Sequence, residues 1–191
     1  MAWVAEILRR THRICGSCNV GPTHIYDPEL AAAAGVEPDP EAEAEGRPLC
    51  NACLAAQLAA DLPAFEGRAL IFEPALGPEA LVFHPLEGAA AREWPAPAVA
   101  AVKEALASLP APCAQCAAAG RFRWIPVEAD AYFWPEDLLS GLSRGEIVPS
   151  DALCGACAAA RLTRSLEERG LYLDAIVPPR GGDGVLLGSE I

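Results

Sequence analysis

The stretch Leu49-Cys50-Asn51-Ala52-Cys53 recurs 104 residues later as Leu153-Cys154-Gly155-Ala156-Cys157. Each copy is a C-x-x-C pair that opens an alanine- and leucine-rich segment. A C-x-x-C pair directly before a helical pattern is typical of four-cysteine metal sites. In such sites the second pair of ligands lies at the start of a helix. These two stretches therefore predict two similar local structures in one chain.

Two further C-x-x-C pairs precede these stretches, so all eight cysteines fall in four pairs. The two-residue spacer lets one tight turn present two sulfur atoms to one ion, and four thiolates are a ligand set of structural zinc. We predict two zinc ions per chain, held by two sets of ligands: Cys15, Cys18, Cys50 and Cys53, and Cys113, Cys116, Cys154 and Cys157. A cross-brace, with the first pair joined to the third, is the alternative, but each copy contains a complete set.

The duplication extends well beyond the cysteines. From residue 49 to residue 83 an offset of 104 aligns the copies without a gap, and Leu58/Leu162 and Pro74/Pro178 are among the identities. Upstream the offset is 98, so the second copy has six extra residues between its cysteine pairs. The repeat predicts a first zinc-binding domain at residues 1–88, a linker at 89–97 and a second zinc-binding domain at 98–191.

Each copy predicts the same order of elements. An apolar segment comes first (2–10, then 98–108, the latter a helix that stops at Pro110). The first cysteine turn and an aromatic strand follow, and the second cysteine turn opens a helix with leucines every four residues. A Pro/Gly turn between apolar runs then predicts a β-hairpin, from 69–72 with 81–83 and from 171–177 with 185–187. In the second copy, Pro135 marks the start of a short helix.

A cysteine turn, strands, and a helix that carries the second cysteine pair are the order of a treble-clef zinc finger. We therefore predict an α+β fold with two treble-clef-like units, each followed by a hairpin. Leu49-Cys50-Asn51-Ala52-Cys53 also resembles the second knuckle of GATA-type fingers. There is a fainter similarity to CbrC-like bacterial proteins, which place aromatic residues after one C-x-x-C and an alanine-rich helix after the next.

Charge and composition narrow the function. The formal net charge is -12, and two tetrathiolate zinc centres would make it more negative. A chain this acidic repels phosphate, so nucleic-acid binding is disfavoured. No apolar run reaches the 18 or so residues of a membrane span. Disulfides belong mainly to short secreted chains, and no signal-peptide pattern precedes the first cysteine, so we expect a reducing bacterial cytoplasm.

A closed four-cysteine zinc site leaves no open position for water or substrate. The sequence therefore predicts a non-enzymatic interaction or adaptor protein with an unidentified protein partner. The second copy concentrates aromatic side chains in its longer interval, and these are the predicted partner surface: Tyr132, Phe133 and Trp134. Core packing of these three residues is the alternative.

Other functions stay open at this point. A redox-sensing or zinc-chaperone-like protein is the second prediction, since C-x-x-C pairs also serve in thiol chemistry. A nucleic-acid-binding regulator is the third. His12 and His24 flank the first pair and could replace a ligand. His84 and Glu87 precede Cys113, but their H-x-x-E spacing differs from the H-x-E of zinc deaminases.

Overall fold

The computed structural model describes residues 15–21, 24–26, 47–72, 80–85, 94–126, 135–148, 151–170, 175–176 and 184–189. The helices within these ranges are α1 (Asn51–Asp61), α2 (Ala96–Ala107), α3 (Pro135–Arg144) and α4 (Gly155–Glu168), and a 3-10 turn at Leu62–Phe65 follows α1. No helix in the described part of the chain combines the length and apolar character needed to cross a membrane. The helices predicted after both second cysteine turns, after residue 98 and at Pro135 are all present.

Ten described strands complete the fold. They are β1 (His24–Tyr26), β2 (Arg47–Leu49), β3 (Ala69–Phe72), β4 (Ala80–Pro85), β5 (Ala111–Pro112), β6 (Ala119–Gly120), β7 (Phe122–Ile125), β8 (Asp151–Leu153), β9 (Ala175–Ile176) and β10 (Gly184–Ser189). Eight of them form one sheet in the order β2-β1-β9-β4-β10-β3-β7-β8, and β5 pairs with β6 separately. The protein is thus a mixed α+β structure, consistent with duplicated units.

The order of the large sheet is symmetric with respect to the two sequence copies. The offset of 104 converts β2 into β8 and β4 into β10, and the offset of 98 converts β1 into the start of β7. If each strand is replaced by its counterpart in the other copy, the result is the same strand order read from the opposite edge of the sheet. The centre is the antiparallel pair of β4 and β10, whose register runs from Gly184↔Pro85 to Ser189↔Ala80. The duplication in sequence is thus a pseudo-two-fold arrangement in structure.

The two predicted hairpins are wrong. β3 and β4 are not neighbours, because β10 lies between them, parallel to β3 and antiparallel to β4. In the same way, β4 separates β9 from β10. The Pro/Gly signals predict a chain reversal, and β3 and β4 do run in opposite directions. Turn signals do not fix the neighbour in the sheet, and the seven residues between β3 and β4 are long enough to span one intervening strand, roughly 10 Å across.

The copies also exchange strands. β3 of the first copy pairs with β7 of the second, and β9 of the second copy pairs with β1 of the first. Helix α2 begins at Ala96, inside the segment predicted as a linker. The boundaries 1–88, 89–97 and 98–191 stay a prediction about the sequence copies, while the sheet itself contains strands from both.

Strand β3 shows where the core lies. All four of its residues are buried, and they alternate between two clusters. Ala69 and Ile71 join the cluster formed with α1 and α4, whereas Leu70 and Phe72 join the cluster formed with α2. Because successive strand residues point to opposite faces, helices cover both faces of the sheet at this strand. This explains why the strand is apolar throughout.

The first cysteine turn of each copy lies against the edge strand of its own copy. Gly16 donates a backbone hydrogen bond to the carbonyl of Pro48 in β2 at 2.9 Å, and Ala114 donates to Ala152 in β8 at 2.9 Å. These two bonds occupy equivalent positions in the repeat. They satisfy outward-facing carbonyls on strands that end the sheet, a position where unpaired backbone groups favour aggregation. The cysteine turns therefore also close the sheet edges.

Gly120 is required by this arrangement. A Cβ at residue 120 would lie 2.9 Å from the Cβ of Ala152 and 3.0 Å from the carbonyl oxygen of Ala111. We expect Gly120→Ala to lower the free energy of unfolding by about 1–3 kcal/mol, the usual cost of overpacking. Thermal or denaturant unfolding measures it. Combining the change with Ala152→Gly should recover part of the loss, and an unchanged stability in Gly120→Ala would contradict the close packing.

Candidate metal centres

The first cysteine cluster is assembled by a turn and a helix start. Cys15 and Cys18 lie on a turn closed by hydrogen bonds from Asn19 N to Cys15 O at 2.9 Å and from Cys15 N to Val20 O at 3.0 Å. Cys50 is the N-cap of α1, and Cys53 lies in the first turn of that helix. Backbone N–H groups at a helix start are unpaired and carry partial positive charge, so this position suits thiolates.

The second cluster repeats this construction. The carbonyl oxygen of Cys113 accepts a hydrogen bond from the backbone N–H of Ala117 at 3.0 Å, and the backbone N–H of Cys113 donates to the carbonyl of Ala118 at 2.7 Å. Cys154 is the N-cap of α4. The residue after the second cysteine of each turn, Asn19 or Ala117, has a positive φ of 60° or 59°. Two turns with different sequences therefore adopt the same left-handed step. The constraint they share is the need to present two sulfurs on one side.

The sulfur positions fit a tetrahedral ion. Within each set of four, all ligand atoms lie within 4.8 Å of one another. The Sγ atoms of Cys18 and Cys50 are 3.4 Å apart, and those of Cys116 lie 3.7 Å from Cys154 and 3.6 Å from Cys157. A zinc ion with Zn–S bonds of about 2.3 Å requires sulfur separations of about 3.8 Å. Each cluster could therefore hold one metal ion.

The structure brings the cysteines together within each copy. Cys15 groups with Cys18, Cys50 and Cys53, and Cys113 groups with the cysteines of the second copy. The cross-brace is therefore not the arrangement observed.

The thiols within a cluster differ in acidity. Burial raises the pKa of Cys15, but backbone N–H groups of Cys50, Ser17 and Cys18 outweigh this effect and bring the pKa to about 6. Cys113 has the same balance and a pKa of about 6. Hydrogen bonds with the neighbouring thiols of Cys15, Cys50 and Cys18 raise the pKa of Cys53 to about 12. Burial, together with the neighbouring thiols, raises the pKa of Cys157.

These shifts describe a cluster that does not carry four negative charges by itself. The backbone lowers the pKa of Cys15 and of Cys113, whereas the pKa of Cys53 and of Cys157 is raised, because closely spaced sulfurs resist ionising together. A divalent cation removes this restriction, since bound thiols are deprotonated. Metal binding to either cluster is therefore expected to release protons.

The two centres differ in the residues behind them. His24 is fully buried on β1, and its Nε2 lies 2.5 Å from Oδ1 of Asn51. Asn51 lies in the sequence between the two cysteines at the start of α1. At the equivalent positions of the second copy stand Phe122 and Gly155, and a Cβ on Gly155 would lie 3.7 Å from the ring of Phe122. A polar pair in one copy thus replaces a ring over a glycine in the other. Sequence reasoning did not pair these residues, although the offsets of 98 and 104 contain the signal.

We expect the pair to be exchangeable only as a unit. His24→Phe alone leaves the half-buried Asn51 side chain against a ring, and Asn51→Gly alone removes its hydrogen bond with the buried His24 ring, so each should cost about 1–3 kcal/mol. The double variant His24→Phe/Asn51→Gly reproduces the second copy and should recover most of the loss. A double-mutant cycle on unfolding free energies measures the coupling. Additive losses would contradict it.

The same pair gives a pH dependence. Burial lowers the pKa of His24 below its usual 6.5, and the hydrogen bond with Asn51 only partly opposes this effect. The unfolded chain therefore binds a proton near pH 6.5 while the folded protein does not, and stability falls as the pH drops below this value. The double variant lacks this loss. The difference in unfolding free energy between wild type and double variant should thus shrink or reverse between about pH 7 and pH 5.

The other predicted site residues are placed as follows. Tyr132, Phe133 and Trp134 lie outside the described residues, as does His12. His84 lies on β4. His24 is not among the ligand atoms of either cluster. The predicted partner surface therefore stays a prediction.

A further feature was missed from the sequence. A groove of about 350 Å³ lies between α2, β7 and a segment that comprises the end of α3 and the residues after it. Ala105, Leu142 and Ile147 contribute its apolar lining, and Glu104 and Arg123 contribute charges of opposite sign. Val148 at its rim is 66% exposed. Three separate segments form the groove, so no single stretch of sequence predicts it.

Comparison with known proteins gives no relative: no protein-family model, curated protein or solved structure matches this chain.

Proposed function

We propose that this protein is a non-enzymatic adaptor that binds another protein, and that two structural zinc ions hold its fold together. The observation that carries the zinc assignment is the grouping of all eight cysteines into two sets with nearly tetrahedral sulfur spacing. Four thiolates complete the coordination of zinc, so neither centre offers a position for substrate. We propose that in each copy the cysteine turn, the strand pair and the helix together form one treble-clef-like finger.

Charge supports the choice of partner. The chain has 26 acidic and 14 basic residues, for a net charge of -12. Complementary charge steers association and suppresses wrong partners, so we propose a partner protein with a basic surface. The same charge disfavours nucleic acid. The reducing cytoplasm is the proposed compartment, because it keeps free the thiolates that zinc requires.

The zinc assignment has a direct test. Elemental analysis of the purified full chain should return two zinc ions per molecule. Cys50→Ser/Cys53→Ser and Cys154→Ser/Cys157→Ser should each lose zinc from the altered cluster. A wild-type protein with one zinc ion or none after purification in the presence of the metal would overturn the assignment of two zinc ions.

The adaptor role is tested by partner capture. The proposed contact segment lies in the longer interval of the second copy and consists of Tyr132, Phe133 and Trp134, directly before α3. Phe133→Ala/Trp134→Ala should abolish capture of a native partner, while zinc content and melting temperature stay close to wild type. The matched control is Trp94→Ala, an aromatic change outside that interval. Equal loss of capture in both variants, or a large fall in melting temperature in the first, would contradict the proposal.

A redox-sensing role is the second candidate, and one observation favours it. Cys18 and Cys116, one ligand in each cluster, are exposed. Hydrogen peroxide would take two electrons from two thiolates, which form a disulfide as zinc leaves, and two protons from solvent convert the peroxide to two water molecules. Rapid, reversible zinc release by low peroxide concentrations would favour this role. Zinc retention under the same conditions favours the adaptor.

A further inference from the structure

We propose that the two zinc sites are coupled through one shared core, so that loading either site raises the zinc affinity of the other. This inference rests on the proposed zinc binding and goes beyond it. Two tandem zinc fingers with separate cores would load independently. The strand exchange and the packing between the copies argue for a different behaviour here.

The first observation is the composition of the larger core cluster. It contains Cys15 and Cys50 from the first site and Cys113 from the second, together with partly buried cysteines of both sites packed against it. Leu54 and Leu58 of α1 and Leu162 and Leu166 of α4 belong to the same cluster. The helices that begin at the two metal sites also pack against each other. Each site therefore lies at the edge of one continuous core.

The second observation is a direct contact of the first copy with the second site. The 3-10 turn after α1 places Pro63 beside Gly155, where a Cβ on the glycine would lie 4.0 Å from Pro63 Cδ. Gly155 lies between two ligands of the second site, Cys154 and Cys157. The next residues also contact the second copy, since Gly67 donates a backbone hydrogen bond to Arg121 O at 2.7 Å and Glu66 pairs with the Arg121 guanidinium at 3.2 Å. The end of α1 thus supports the second cysteine cluster.

The third observation is the sheet. β3, which follows this turn, pairs with β7, and β7 pairs with β8, the strand that leads into Cys154. In the other direction, β9 of the second copy pairs with β1, and β1 pairs with β2, the strand that leads into Cys50. Each site is therefore approached through strands that are ordered partly by the other copy.

Thermodynamic linkage turns this packing into coupling. Zinc binds the folded site and therefore shifts the folding equilibrium of the unit that forms this site toward the folded state. If one cooperative unit forms both sites, the first ion pays the ordering cost of the shared core and the second ion does not. The coupling is reciprocal by necessity, and typical values are about 5- to 150-fold in affinity.

The test uses the full chain and zinc alone. The metal-free protein is equilibrated with zinc in the presence of a chelator that sets the free zinc concentration. At half saturation of the sites, native mass spectrometry measures the fractions of molecules with no, one and two zinc ions. Independent sites, whether equal or unequal, leave at least about half of the molecules singly loaded, whereas a coupling of about 100-fold leaves roughly one tenth. We expect well under half. A singly loaded fraction of one half or more would overturn the proposal, while absence of zinc binding would instead overturn the zinc assignment.

A pair of variants tests whether the shared core is the route. Leu58→Ala truncates the larger cluster, and Leu142→Ala truncates the cluster on the opposite face; each leucine is 4% exposed in the wild type. We expect Leu58→Ala to raise the singly loaded fraction and Leu142→Ala to leave it near the wild-type value. Equal effects of both variants would overturn the route through the shared core.

The reciprocal test removes one site at a time. Cys50→Ser/Cys53→Ser should weaken zinc binding at the second site, and Cys154→Ser/Cys157→Ser should weaken binding at the first by a similar factor, about 10-fold or more. Competition with a chelator of known affinity measures both. Unchanged affinity of the remaining site in both variants would overturn the coupling.

Discussion

Removal of zinc is expected to abolish the cooperative thermal unfolding of this protein. Structural zinc contributes about 10–16 kcal/mol of apparent folding free energy in small zinc-finger peptides at neutral pH. The net stability of a folded domain is only about 5–15 kcal/mol. Without metal, each cluster also brings together thiols that raise one another's pKa, as at Cys53. Calorimetry and circular dichroism of the protein, before and after dialysis against a strong chelator, measure the effect.

Return of zinc in excess of the chelator should restore the unfolding transition, and magnesium at the same concentration should not, because magnesium prefers oxygen ligands. The control separates metal loss from damage to the chain. A metal-free protein that melts within a few degrees of the zinc-bound protein would show that the clusters are not what stabilises the fold.

Truncation of Trp124 is expected to be the most damaging single change outside the cysteines. This side chain is fully buried on β7, between β3 and β8. The guanidinium of Arg161 on α4 stacks at 4.7 Å from its ring and also donates to Asp151 on β8 at 2.6 Å. Trp124→Ala therefore empties the core and removes the surface on which Arg161 packs. We expect a loss of about 3–5 kcal/mol in unfolding free energy.

For a chain of this length, such a loss lowers the melting temperature by roughly 6–20 °C. Trp94→Ala is the matched control, since Trp94 is only partly buried against the smaller cluster and should cost clearly less. Arg161→Met keeps most of the side-chain length and should cost about 1 kcal/mol or less, as expected for a partly exposed ion pair. Equal losses in Trp124→Ala and Trp94→Ala would contradict the central position of Trp124.

The elements next to the cysteines were predicted well from the sequence. Helices α1 and α4 begin at the residues after Cys50 and Cys154, and the leucine stripe that includes Leu58 and Leu162 is buried as its spacing predicted. The aromatic segments at His24 and Phe122 form strands. The grouping of the cysteines within each copy also followed from the repeat. These features depend on interactions between residues close in sequence, where spacing and helix periodicity carry the information.

The hydrogen bond between His24 and Asn51 was not predicted, although both residues lie in segments that were. The two are far apart in sequence, and only the pairing of β1 with β2 brings them together. The groove beside Arg123 has the same origin, since three segments meet there. Sequence patterns report which face of an element is apolar, but not which other element covers that face.

Short-range sequence patterns predict the local units of this protein: the cysteine turns, the helices that start at them, and the strands between. The position of β10 between β3 and β4 and the exchange of strands between the copies are visible only in the folded protein. The physical reason is that a turn signal specifies a reversal of the chain and an apolar run specifies burial, while the choice of neighbour depends on packing against all other elements at once. A repeat is compatible both with two separate units and with one exchanged sheet. Here β3 is buried on both faces, and helices α1 and α4 share one core cluster with it, so residues of both copies pack together around one sheet.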